Sequence, residues 1–361
     1  MGRRVSFLGL CATVVLSAAV QADQYGLNPG PLELKSANVI AFGPDGILFV
    51  GDAKAAQIVA IQTGDRPGDA ASVKHAIDGV DSKIAQQLGV SAVEILDMAV
   101  NPLSGHLFVS VSTGAGPQLV MLDGSGAIVQ LGLDKITHAK MDIPNAPEDK
   151  IVGEGRRARN HRMSSVTDLA FVDGQLLVSG MSNSAVPSTV RSFAFPFADK
   201  VEATGLEIYH GAHGQLESLS PIRTFVPFMI NGEPTVLAGF VCTPLVKFPV
   251  SAIAGGEKVR GTTVAELGNR NQPLDMIAYH QGDKDYLLLA NSARGVMKIS
   301  TDDIDRAQGI EEKIGGTAGQ EYETVESWTG VVQLDRLNDK QAVVLVKSET
   351  GSLDLKTLPL P

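Results

Sequence analysis

The sequence predicts an all-β chain folded as a β-propeller, and three observations carry that expectation. Short apolar runs of strand length return in groups of three, and each group holds a tight Gly, Asn or Asp turn between its first two runs. The turns fall near residues 45, 104, 173, 231, 283 and 338, a period of about 50 to 70 residues, which is the spacing of propeller blades. Helical patterning is scarce, with Asp81–Leu88 and Asp302–Ala307 as the two short candidates.

The first unit reads Val39–Phe42, a Pro-Asp-Gly turn over 44–46, Ile47–Val50 and Gln57–Ile61. In the second, Ile95–Val100 turns at Leu103–Gly105 into His106–Val111 and then Gln118–Leu122. Val166–Val172, Leu176–Ser179 and Thr189–Phe195 make the third, around Asp173-Gly174. Ile222–Ile230, Thr235–Val241 and Leu245–Val250 make the fourth, around Asn231-Gly232. The fifth holds Leu274–Tyr279, Tyr286–Ala290 and Val296–Ser300, and the sixth Gly330–Leu334, Ala342–Val346 and Leu353–Leu358. Fourth strands fit between units at Ser72–Ile77, Ile136–Asp142, Leu206–His210, Thr262–Leu267 and Glu323–Glu326. The last unit has no fourth strand of its own, and Leu32–Lys35 is expected to supply it and close the ring, which removes exposed sheet edges. Six blades are expected; seven fit only if two units have been merged. Pro144–Arg162, rich in Pro, Gly and charge, reads as an insertion before the third blade.

The N-terminus reads as a cleavable secretory leader over residues 1–22, with Arg3 and Arg4, an apolar stretch Phe7–Ala19, and a small-x-small site ending at Ala22. That stretch is too short to span a membrane. The mature chain, 23–361, is then one domain, periplasmic or secreted, with 28 basic against 40 acidic residues and a net charge of −12. That sign argues against nucleic acid as a partner. Removal of the leader takes Cys11 with it and leaves Cys242 without an intramolecular disulfide partner.

The repeat pattern resembles the six-bladed propellers of the NHL and SMP-30-like type over nearly the whole mature chain. The resemblance implies that the loops leading into each first strand share a face, at the axis, with the loops joining second strands to third. That face would hold a small molecule or a protein partner. It would gather Cys242, His161 and His213 from the third and fourth blades, with Met181 as a weak axial donor and His210 as a further imidazole. Arg294, Asn271, Asn291 and Glu217 would surround them. Thiolate with two imidazoles is a donor set of copper electron-transfer sites and, second, of catalytic zinc sites. Three other readings stay open. Cys242 is a small buried hydrophobe on a binding scaffold; or it is a nucleophile with a histidine base; or Glu94, Asn271 and Asn291 hold a divalent ion that activates water, as the SMP-30-like hydrolases imply. Against the last, Ser36-Ala37-Asn38 stands where that family has its acidic ligand.

Overall fold

The computed structural model describes residues 24–155, 158–242 and 244–361; the leader expected over 1–22 lies outside the described residues. Six sheets form six blades, antiparallel throughout except for the short parallel pairing of Val259–Arg260 on blade three. Numbered by their innermost strands along the chain, these are Val39–Phe42, Glu94–Val100, Asp168–Val172, Thr224–Ile230, Pro273–Gln281 and Val331–Asn338. The first two strands of blades three and four join through Asp173-Gly174 and Asn231-Gly232, and all four turn residues have positive φ. This is the backbone that a two-residue hairpin matched to sheet twist requires.

Six apolar clusters hold the ring, one at each seam. Ile47, Phe49 and Ile58 of blade one meet Leu176, Val178 and Phe193 of blade three. Leu48 and Val50 on the opposite face of the same strand meet Phe108 and Leu119 of blade two. Strand alternation therefore sends each blade's two faces into two different seams. Blade two in turn packs on blade six through Val109, Val120, Val343 and Leu345. The spatial order is one, three, four, five, six, two, and back to one.

Blades one and two are thus exchanged relative to the chain, and the ring closes differently from expectation. The outer strand of blade six is Ala76–Ile77, which pairs with Leu353–Pro359. The outer strand of blade one is Ile136–Asp142, reached only after blade two is complete. Asn28–Gly30 adds a fifth strand to blade one, against Ile136–Asp142. Leu32 and Leu34 form no strand there; they fill the seam between blades one and two. Two interlocked outer strands rather than one terminal strand close the ring, and each blade keeps one short outer edge. Val80–Leu88 is a helix as expected, whereas 302–307 holds turns.

Candidate metal centre

The outer strand of blade three, Val201–His210, ends in a tight turn and returns as Gln215–Glu217. The His210 carbonyl accepts the amides of His213 (3.1 Å) and Gly214 (2.8 Å), and Gly214 takes φ +70° to complete the reversal. That turn folds His213 over His210, with ring centroids 3.9 Å apart and planes tilted by 37°. Glu217 stands opposite Ile208, which has the same sheet parity as His210, so its carboxylate reaches both rings. Its Oε2 is 2.8 Å from His210 Nδ1 and its Oε1 is 2.6 Å from His213 Nδ1. Gln215 Nε2 donates to Oε1 at 3.1 Å. Burial pushes the Glu217 carboxyl upward, but these donors together hold it below the ordinary glutamate range.

Beside this group lies Glu266, from the outer strand of blade four, Thr262–Leu267, and fully buried. Its Oε1 accepts the Gly211 amide at 2.5 Å, inside the same turn. Burial pushes its carboxyl up to about 7. Two buried polar atoms are left over: Glu266 Oε2 and His210 Nε2 have no hydrogen-bond partner, and His210 is only 3% exposed. Orphaned buried polar atoms are costly, so they point to something that would complete the site.

One donor atom each from His210, His213 and Glu217 lies within 4.8 Å of the other two, the only such group of three or more among the described residues. Two imidazoles with a carboxylate form a donor set for catalytic zinc and for non-haem iron. A carboxylate on Nδ1 also sets the tautomer that frees Nε2 for a metal.

The structure therefore separates the expected ligands. His213 belongs to the group, with His210 and Glu217 beside it, but Cys242 and His161 do not. The reason is position within the blade. His161 precedes the innermost strand of blade three and His213 follows its outermost one, three strand spacings away, or roughly 14 Å. The group sits at the rim rather than at the axis. Cys242 is half-buried in a turn with φ +63°, and its amide donates to the Asn271 carbonyl at 3.0 Å. Asn271 and Asn291 are committed to loop structure: Asn291 Nδ2 donates to Asn271 Oδ1 at 2.8 Å. Asn291 Oδ1 accepts the amides of Ala293 and Arg294, and the Arg294 guanidinium donates to the Asn269 carbonyl at 3.3 Å. Each of those side-chain oxygens therefore accepts at least one hydrogen bond within the loops. Met181 is 8% exposed and shares a pocket with His161.

The axis holds a feature that the sequence reading missed. Asp97, Asp168, Asp275 and Asp335 project from innermost strands into a channel cavity of about 480 Å³. Each also accepts a backbone amide of the neighbouring blade: Ile40, Phe225, Leu334 and Val100, at 2.6–2.9 Å. Desolvation raises all four carboxyls, Asp168 to about 7 and Asp335 to about 6. The recurrence of Asp at one offset in Asp97-Met-Ala, Asp168-Leu-Ala and Asp275-Met-Ile was the available signal.

No family model matches the sequence, and no curated protein matches it. Among solved structures it is similar to the Dos1 propeller, with 12% identity over 89% of this chain and 70% of that one, TM-score 0.33. It is also similar to an oxidoreductase described as a glucose dehydrogenase from Thermus thermophilus, 15% identical over 92% of this chain and 100% of that one, TM-score 0.33. A third is an aldose sugar dehydrogenase from Streptomyces coelicolor in its PQQ-bound form, 9% identical over 92% and 97%, TM-score 0.31. Likeness this low bears on no activity of this chain. Among the described residues, no helix is long and apolar enough to cross a membrane.

Proposed function

We propose that this chain is an exported six-bladed propeller that binds one divalent transition metal at the rim of blade three. Zinc is the first choice, because the group offers imidazole and carboxylate without the thiolate that favours copper. His210 and His213 are the nitrogen donors. Glu217 orients both rings through Nδ1 or supplies an oxygen itself, while Glu266 accepts the Gly211 amide beside them and is not one of the three grouped donors. The observation that carries this reading is the pair of buried, partnerless atoms, His210 Nε2 and Glu266 Oε2, beside a carboxylate-braced imidazole pair. A zinc ion held there would supply Lewis acidity to whatever oxygen occupied its open position. Export rests on the leader sequence Arg3–Ala22.

The test is metal stoichiometry of the purified mature chain, by elemental analysis and zinc titration calorimetry. One equivalent is expected for the parent protein and for Cys242→Ser, and none for His210→Ala. Loss of the metal in Cys242→Ser, with retention in His210→Ala, would return the site to the thiol and end this reading.

A further inference from the structure

A second site lies on the same loop face, over blade three and apart from the imidazole group. A pocket of about 470 Å³ opens between the insertion and the loop that joins the second and third strands of that blade. Its volume falls in the range of roughly 300–1,000 Å³ typical of small-molecule sites. Pro147, Val152, Met181, Pro187 and Leu219 make most of its apolar wall.

Three observations indicate what it would take. Eight large apolar side chains stand exposed among the described residues, and two of them, Val152 and Leu219, line this pocket. Leu219 is 72% exposed and Val152 51%, a cost in water that an apolar occupant would relieve. The two charged side chains among its lining residues, Lys150 and Glu148, pair with each other. The His161 imidazole lines the pocket and has no hydrogen bond or ion pair from its side chain to any described residue.

The floor is preorganised. Arg191, fully buried, donates from its guanidinium to the carbonyls of Pro144 (3.0 Å), Ser165 (3.3 Å) and Met181 (3.0 Å). One side chain thus ties the insertion, the segment leading into the innermost strand and the inter-strand loop to a single point. The two-residue strands Ile151–Val152 and Arg159–Asn160 pair with each other and with no blade, forming a separate wall.

We propose that this pocket binds a neutral, mainly apolar small molecule whose one polar group hydrogen-bonds to His161. The apolar wall disfavours a strongly hydrated ligand, and the two lining charges are already paired with each other. Nile red, an uncharged dye whose emission rises and shifts to the blue in apolar surroundings, serves as the probe. Titration of the mature protein should saturate at one equivalent. Leu219→Asp and Val152→Asp each place a charge on an exposed wall position without touching the core, and each should weaken the dye at least tenfold. His161→Ala should weaken it several-fold, whereas His210→Ala should leave it unchanged, which separates this site from the metal group. Unsaturable uptake would overturn the proposal, as would equal affinity in both aspartate variants and the parent. So would tighter binding of the anionic dye anilinonaphthalene sulfonate than of Nile red. Dye binding that falls as the chain self-associates with rising concentration would assign the patch to a second copy instead, and would equally overturn it.

Discussion

Glu217 illustrates how much one carboxylate can organise. It holds two imidazoles by their Nδ1 atoms and keeps its charge despite burial, because three donors face it. Glu217→Gln offers one acceptor where two rings need one each, so one ring is freed to turn. Zinc affinity is expected to drop about 10- to 100-fold, the usual cost of losing the carboxylate behind a metal-ligating histidine. Glu266→Gln separates the roles of the two acids: a loss as large as that of Glu217→Gln makes Glu266 a ligand, and an unchanged affinity makes it a neighbour. Calorimetric titration of the two variants reads both. The Tyr-His-Gly-Ala-His-Gly run sets two imidazoles three residues apart, with Gly211 and Gly214 to let the backbone bend. What the sequence could not give was burial. His210 lies on an outer strand, and blade four's outer strand covers it with Glu266. His75, in the outer-strand stretch Ser72–Ile77, is 1% exposed and bonded to the Gly105 carbonyl at 2.9 Å. Both cases share one cause: outer strands look half-exposed by alternation, and only the ring says what lies beyond them.

At the level of the strand and loop, Arg191 is the exception to the rule that buried charge is paired with charge. Three carbonyls replace a carboxylate, and desolvation draws the guanidinium down to about 10, still cationic at neutral pH. Arg191→Met keeps the volume but leaves those carbonyls without donors. At about 1 kcal/mol or more for each unsatisfied group, a loss of about 3 kcal/mol is expected in urea unfolding. Arg306→Met, which breaks an exposed pair with Asp303, should change stability by less than about 1 kcal/mol. Equal losses in the two variants would contradict this account of the loops around blade three. The hairpins themselves were legible, because Asp-Gly and Asn-Gly demand the positive φ found at 173–174 and 231–232. The outer strands were legible as strands but not in their partners. Ser72–Ile77, expected after blade one, pairs through Ala76–Ile77 in blade six, and Ile136–Asp142, expected after blade two, pairs in blade one. Local pattern fixes strand character, but only long-range seams such as Ile77 with Leu355 and Leu345 select the sheet.

Across the whole molecule, the channel aspartates couple the ring's stability to pH. Each buried carboxyl holds its proton more tightly in the folded chain than at the ordinary value of 3.8, Asp168 up to about 7 and Asp335 up to about 6. Below about pH 4 both folded and unfolded chains are protonated and the favourable contribution is whole. Between about 4 and 7 only the folded chain keeps these protons, so stability falls as pH rises through that window. Asp168→Asn, neutral throughout, should flatten the slope of melting temperature against pH between about 4.5 and 7.5, whatever it costs at a single pH. An unchanged slope would show that these four groups do not govern it. The six blades were readable from turn spacing; the exchange of blades one and two was not, because nothing in a period records which neighbour a repeat packs against.

The central claim concerns which atoms a metal would meet. X-ray absorption at the zinc edge, on the mature protein loaded with one equivalent, tests it most directly. The account predicts nitrogen and oxygen neighbours at about 2.0–2.2 Å with an imidazole scattering pattern and no sulfur shell. A sulfur neighbour near about 2.3 Å would assign the ion to Cys242 and contradict the account.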